Sequence, residues 1–397
     1  MPPPPPALPA GRLVSLDAFR GLIMLTLLFG GVFQSLKDYN SVSTLGGKVV
    51  WDWRWLPEQN GHVAWEGCVY WDLIQPSFMF IVGVAMPISM ANRYAAHTPR
   101  LLQFLRVLSR AAKLILLGVI LDNFGAKEWN FGFIRVLQQI AIGYVLAFFV
   151  VGRGFLVQGI AAAVILIGYN IFWMYNGHNG PGGPWAKEGI NIGTFVDDKV
   201  LSVWDRILLS WREGSLSAGI NTHIPGRNYS GNYVMLNAIP ATATMIFGVM
   251  AGTLLQSKRP PQRIALILLI AGVIGVALGA LLGIWFPLIK KIWTPSFAIY
   301  SSGLVAILLA VFYWLIDVVK WKGWAFPLVV VGMNSIAAYC MGGLFGGWFR
   351  SLTGTWISPL ELELGKVWFP VFQRCLFAIC AWCVLYWLYR RRIFFRL

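Results

Sequence analysis

The chain has 397 residues, 57% of them hydrophobic and 12% charged, with a mean hydropathy of +0.65; an ordinary soluble protein carries about 25% charged residues. Its formal charge of +16 is spread over short basic clusters beside apolar runs, a pattern that marks the cytoplasmic side of a membrane protein more often than a nucleic-acid surface. A soluble enzyme and a nucleic-acid-binding module are thereby excluded, and an all-α polytopic membrane helix bundle is expected.

Residues 1–11, M-P-P-P-P-P-A-L-P-A-G, read as a disordered proline-rich tail with no cleavable signal pattern, ahead of one transmembrane unit over 12–397. A hydrocarbon core of ~30 Å needs ~20 apolar residues per helix. About ten segments qualify: 13–36, 71–92, 101–121, 133–151, 155–174, 233–255, 264–287, 295–319, 324–345 and 367–389. Basic residues at Arg93, Arg100, Arg106, Arg110 and Lys113, at Lys258, Arg259 and Arg263, at Lys320 and Lys322, and at Arg390, Arg391, Arg392 and Arg396 place those loops and both termini on the cytoplasmic side. The intervals 37–70, 176–232 and 346–366, and the short loops near Asn123 and Lys290, then share the outer side. Interval 176–232 is rich in Gly, Asn and Pro and reads either as a sugar-binding lid, with tryptophans to stack on a pyranose, or as a structural cap. His178 and His223 within it read as ordinary loop histidines. The five cysteines read as packing residues, and no metal-ligand spacing occurs.

Polar residues inside or beside apolar runs are the candidates for function. Asp17 and Arg20 are three apart and share a helical face, either as an interfacial ion pair or as a cofactor contact. The stretch 60–83 carries His62, Glu66 and Asp72 among Trp65, Tyr70 and Trp71 where a polar loop enters an apolar segment. An imidazole here can act as base or nucleophile near neutral pH. The plainer alternative is an interfacial loop with an aromatic belt. Arg135, Gln138, Gln139, Asn237 and Asn334 each need a buried partner, and either bond helix to helix or surround a polar cavity.

Six motifs occur in order: R-L-V-S-L-D-A-F-R-G-L, H-V-A-W-E-G followed by W-D-L-I-Q-P-S-F-M-F-I-V-G, F-I-R-V-L-Q-Q-I-A-I-G-Y, I-F-G-V-M-A-G, F-P-L-V-V-V-G-M-N-S-I-A-A-Y and R-R-R-I-F-F-R-L. The set resembles the heparan-alpha-glucosaminide N-acetyltransferase family over nearly the whole chain after the proline tail. The resemblance implies a multi-helix membrane enzyme that takes acetyl-coenzyme A from the cytoplasmic side and acetylates the amine of a terminal glucosamine on the far side. His62, Trp65 and Gly67 match its His-x-x-Trp-x-Gly context, and Asp72 falls on its aspartate at the start of the next helix. The chain departs from the family pattern at Gly31, where an Asn is expected, and at Gly342, where a His-Glu pair is expected.

On this reading His62 is the catalytic base or the acyl carrier, oriented by Asp72 or Glu66. Asp17, Arg20, Arg106, Arg110 and Lys113 form the mouth that receives acetyl-coenzyme A. Trp65, Arg135, Gln138 and Asn334 serve the substrate and the developing oxyanion. The expected partners are the lipid bilayer and an amino-sugar or glycan acceptor, with room for a homodimer, no metal and no nucleic acid, in a bacterial inner membrane. The competing readings are an amino-sugar transporter of the N-acetylglucosamine type and a non-catalytic membrane partner of a glycan pathway.

Overall fold

The computed structural model describes residues 13–33, 42–45, 48–52, 55–95, 98–124, 135–176, 184–185, 191–193, 195–197, 199–200, 203 and 233–395. The proline-rich tail, Arg12, His178 and His223 lie outside them, as does most of interval 176–232.

Each of the ten apolar segments folds as helix, but they are not ten equal spans. Among the described residues six helices are long and apolar enough to cross a membrane: Tyr70–Ala91, Phe155–Asn176, Met235–Leu255, Pro261–Leu282, Pro295–Val318 and Pro359–Arg390. The pair Gly323–Met333 and Ser335–Trp356, bent by 70°, makes a seventh if counted as one span. The remaining three differ for identifiable reasons. Helix α1, Val14–Phe29, has 16 residues and ends well before residue 36 because Gly30 and Gly31 take φ of 51° and 67°; the Gly30 N–H caps Thr26 O in a left-handed stop. Helix α4, Arg100–Asn123, is long enough at 24 residues but carries Arg100, Arg106, Arg110, Lys113 and Asp122. Helix α5, Val136–Phe148, has 13 residues.

Between α1 and the next long helix lie an antiparallel hairpin, β1 Val42–Leu45 with β2 Lys48–Asp52, and the short helix α2, Trp55–Gln59. This short hairpin lies in the connection between helices, and the fold is helical as expected. Then follow α3, Ile74–Ala95, entered through a 3₁₀ turn at Tyr70–Leu73; α6, Phe155–Asn176; α7, Ala238–Leu255; α8, Pro261–Leu282; and α9, Pro295–Phe312, prolonged by a π turn to Val318. Helices α10, Phe326–Met333, α11, Ser335–Trp356, and α12, Pro359–Arg390, complete the order. Interval 346–366 is therefore helical rather than an outer loop. Its Gly, Ser and Thr content suggests a loop, yet Leu344, Phe345, Trp348, Phe349 and Leu352 keep helical spacing.

Helices α3 and α7 form the interior, each with 72% of its apolar window buried, whereas α6 and α8 have 22% and 28% and turn Leu156, Ile160, Val164, Ile270 and Val273 outward. Such outward apolar faces suit lipid, where packing between helices relies on small residues at close contacts. That is how α3 meets α7: a Cβ on Gly83 would stand 2.0 Å from Met245 O, and one on Gly248 would stand 2.0 Å from Phe80 O.

The helices alternate in direction. Leu27, near the end of α1, and Ile74 and Gln75, at the start of α3, line one cavity together with Val136 at the start of α5. At the other end of α1, the Ser15 N–H donates to Asp317 Oδ2 at 3.2 Å, and Gly332 packs on Asp17 O. Nearby, Asn334 donates to Ile393 O at 3.0 Å and accepts from the Phe395 N–H at 3.1 Å.

Candidate active site

Asp72 sits in the turn that opens α3, where a carboxylate is favoured by the free N–H groups and positive end of a helix. It is 1% exposed. Its Oδ2 accepts from the Val63 and Val69 N–H groups, each at 3.4 Å, and its Oδ1 receives His62 Nδ1 at 2.6 Å. An ionised carboxylate can only accept, so Nδ1 carries the proton of this bond, and in the neutral ring the lone pair is on Nε2. The imidazole side chain is 45% exposed, and it lines a cavity of about 340 Å³ between Leu27, Trp71, Gln75, Arg135, Tyr233 and Lys290. The ring is thus held from behind by a buried group while its working face stays open.

A second buried ion meets the same carboxylate oxygen. Lys290 Nζ lies 3.3 Å from Asp72 Oδ1 and 3.2 Å from His62 Nδ1, and its side chain is 5% exposed. Nothing in the sequence around Lys290 announced this. Its place comes from residues 288–294, which are tied on every side. Gly67 N–H donates to Leu288 O at 2.8 Å, Glu66 pairs with Ile289 in a β-bridge, and Tyr169 OH donates to Ile292 O at 2.7 Å. Gly67 holds φ of 121°, which lets the chain turn back into that bridge. Burial pushes the Lys290 ammonium below the usual lysine range, with the Asp72 charge opposing it. Burial, and then the Asp72 charge, push the Cys68 thiol up to about 12, so it is no nucleophile at neutral pH.

Gln75 enters the cavity one turn beyond Asp72 and was not singled out from sequence. Its Nε2 donates to Gln139 Oε1, Gln139 Nε2 donates to Asn237 Oδ1, and Asn237 Nδ2 donates to Lys291 O. Gln139 and Asn237, read as either helix bonds or cavity groups, bond one element to the next behind Gln75, which alone of the three lines the cavity.

The other expected residues fall into three groups. Arg135 lines the cavity at its rim, 63% exposed, and pairs with Asp122 Oδ1 at 2.7 Å. Trp65, Glu66, Gln138 and Asn334 do not line it. Trp65 Nε1 donates to Trp185 O at 3.0 Å and its ring packs with Tyr169, Trp173 and Ile289. Glu66 is exposed and contributes its backbone. Gln138 is buried and its Oε1 accepts from the Arg135 N–H at 3.0 Å at the start of α5. Asn334 is occupied at the opposite end of α1, so it is not placed to donate to an oxyanion near His62.

The basic residues expected at a cofactor mouth lie deeper along the bundle. Arg110 stacks on the Tyr144 ring at 4.9 Å and donates to Tyr144 OH at 3.3 Å. From Arg135 to Tyr144 the helical rise is about 13 Å, so Arg110 is well below the cavity; Arg106 and Lys113, both exposed, share its helix. Arg20 and Asp17 approach each other to 3.8 Å, and Arg20 lies about 10 Å along α1 from Leu27. An apolar hollow of about 260 Å³ beside Ile23, Ile74, Ser77 and Leu308 adjoins the cavity through Ile74. Among the described residues no cluster of three or more His, Cys, Asp or Glu could hold a metal.

No family model matches the chain. It is similar to the heparan-alpha-glucosaminide N-acetyltransferase of Mus musculus, 25% identical over 378 residues, covering 83% of this chain and 53% of the relative. It is similar also to the Homo sapiens protein of that name, 24% identical over 444 aligned positions, covering 97% of this chain and 60% of the relative. The chain therefore spans about half to three-fifths of the length of the curated relatives it matches.

Proposed function

We propose that this integral membrane protein is an acyltransferase that moves an acetyl group from acetyl-coenzyme A to the amine of a glucosamine-type sugar, with His62 as its catalytic group. The observation that carries this reading is the 2.6 Å bond from His62 Nδ1 to buried Asp72, on the wall of a polar cavity within a membrane bundle. A carboxylate that fixes the tautomer leaves Nε2 as the base and stabilises the imidazolium that follows. The distant similarity to two proteins named as N-acetyltransferases points the same way.

In the direct route the amine nitrogen attacks the thioester carbonyl, its proton passes to His62 Nε2, the carbon–sulfur bond breaks, and the departing thiolate takes that proton from the imidazolium. In the covalent route Nε2 carries the acetyl group between two such transfers. Arg135 and Lys290 are the cations on the cavity wall, where charge develops on the carbonyl oxygen. Asp72 is the orienting carboxylate, in preference to Glu66. The phosphates of the nucleotide would meet Arg20, Arg106, Arg110 and Lys113 on the side away from His62, as charge-assisted partners. The adjoining apolar hollow is the natural path for the arm that carries the thioester. On this reading the basic face lies in the cytoplasm and His62 outside, as the positive-inside pattern of the short loops suggests.

The test is acetyl transfer by the purified protein in nanodiscs, with a panel of amino sugars. Wild type should consume acetyl-coenzyme A only with an amine acceptor, and His62→Ala should be inactive while retaining its elution profile and melting temperature. Full turnover by folded His62→Ala would overturn the assignment. Sugar uptake into proteoliposomes lacking acetyl-coenzyme A would favour a transporter.

A further inference from the structure

We propose that Gln75 is the residue by which the cavity reads a primary amine in preference to a hydroxyl, and that a one-way chain of buried amides gives it this property. The inference deepens the transferase reading and takes from it the nature of the acceptor.

The direction of the chain is set at its far end. Lys291 O is a backbone carbonyl and can only accept, so Asn237 must turn Nδ2 toward it, at 3.2 Å. Asn237 Oδ1 then faces Gln139, which must donate; Gln139 Oε1 is left to accept, and Gln75 must donate to it with Nε2. Flipping any one amide would set oxygen against oxygen or N–H against N–H at a buried contact. All three residues are at most 5% exposed, so water does not relieve such a clash. Gln75 is therefore held with Oε1 as its remaining group, and this atom has no hydrogen-bond partner among the described residues while Gln75 lines the cavity.

His62 imposes a matching condition on the same cavity. Its Nδ1–H is committed to Asp72, so Nε2 is a second acceptor. A primary amine has two hydrogens and satisfies both acceptors at once. A hydroxyl has one, and leaves either the base or the buried carbonyl unpaired, which costs about ten- to a hundredfold in selectivity. During transfer one amine hydrogen goes to Nε2 and then to the departing sulfur, as the nitrogen–carbon bond forms and the carbon–sulfur bond breaks. The other hydrogen stays on nitrogen and becomes the N–H of the product amide, still held by Gln75 Oε1. An ester product would have no such hydrogen. Gln75 is thus a specificity residue whose acceptor atom is delivered by Gln139 and Asn237 as positioning residues.

The experiment compares methyl glucosaminide with methyl glucoside, measuring both binding to the purified protein and acetyl transfer. Wild type should prefer the amine by about ten- to a hundredfold. Gln75→Met should bring the binding ratio near one, by weakening the amine sugar and by removing the unpaired carbonyl that penalises the hydroxyl sugar. Asn237→Leu removes the fixed end and lets Gln139 and Gln75 turn over, so it should narrow the ratio without altering the cavity wall; it also supplies the answer if Gln75→Met does not fold. The inference is overturned if a folded variant keeps the wild-type ratio, if wild type shows no preference, or if wild type binds neither sugar. Selective amine binding that depends on Gln75, with no acetyl transfer by wild type, would leave the inference standing and remove the transferase reading.

Discussion

Lys290 Nζ stands 3.3 Å from Asp72 Oδ1, the same oxygen that holds His62 Nδ1 at 2.6 Å. One carboxylate atom thus serves both the imidazole and the lysine, and the ammonium beside it favours the charged form, in which it orients the imidazole without taking its proton. Replacing Lys290 by Met should leave Asp72 buried without its ion partner and cost on the order of 3 kcal/mol of stability. Thermal unfolding of the detergent-purified variant measures this, and an unchanged melting temperature would contradict it.

The same lysine predicts a pH dependence. Its folded pKa lies below the ordinary value of about 10.4, so between the two values the unfolded chain binds more protons and stability rises with pH. Below the folded pKa the full cost of the buried ammonium is present. The melting-temperature difference between wild type and Lys290→Met should therefore widen as pH is raised through the alkaline range, and a flat difference would argue against a depressed lysine.

Asp72→Asn should lower acetyl transfer by about 10²- to 10⁴-fold per folded molecule, because an amide that donates to Nδ1 selects the tautomer with no lone pair on Nε2, and it should lower the melting temperature too, since Lys290 loses its ion partner. Glu66→Gln should change it by less than about twofold, since Glu66 is exposed and off the cavity. Equal losses in the two variants would mean that the wrong carboxylate has been assigned.

Much of this was legible in the sequence. The apolar segments located the helices, and a histidine with two carboxylates, Glu66 and Asp72, at the entry to one of them marked the site, while the 2.6 Å bond is what selects Asp72. Span lengths were less legible, because hydropathy alone does not register that Gly30 and Gly31 stop α1 in a left-handed turn. Lys290 was hidden because it stands in a short loop without a motif, and its burial depends on Gly67, Glu66 and Tyr169, which are remote in sequence. Trp65 and Asn334 illustrate the reverse case. Both sit in motif positions, yet one supports a neighbouring aromatic cluster and the other pins a helix break, since a motif records residue type and not where the side chain is spent.

The α3–α7 contact should be intolerant of any side chain at Gly248, where a Cβ would press to 2.0 Å on Phe80 O. Gly248→Val should abolish a monodisperse elution peak. Gly168→Ala on α6, with open space around it, should be neutral or gain up to about 1 kcal/mol of helix propensity. A Gly248 variant as stable as wild type would show that the two helices pack otherwise.

Cys68, with its thiol held up to about 12, should resist maleimide in the folded protein at pH 7.5 and react only on unfolding. Mass spectrometry of the labelled peptides reads this directly, and rapid native labelling would disprove it.

The break at Asn334 has a consequence for synthesis. Its amide is satisfied by Ile393 and Phe395, which are 59 and 61 positions further along. Until the ribosome has delivered those residues, the elbow between α10 and α11 has a polar side chain with nothing to grasp, and the two halves are free to straighten into one continuous rod. The final shape of this hairpin is therefore settled late in biogenesis, when the last basic-aromatic stretch folds back and latches it.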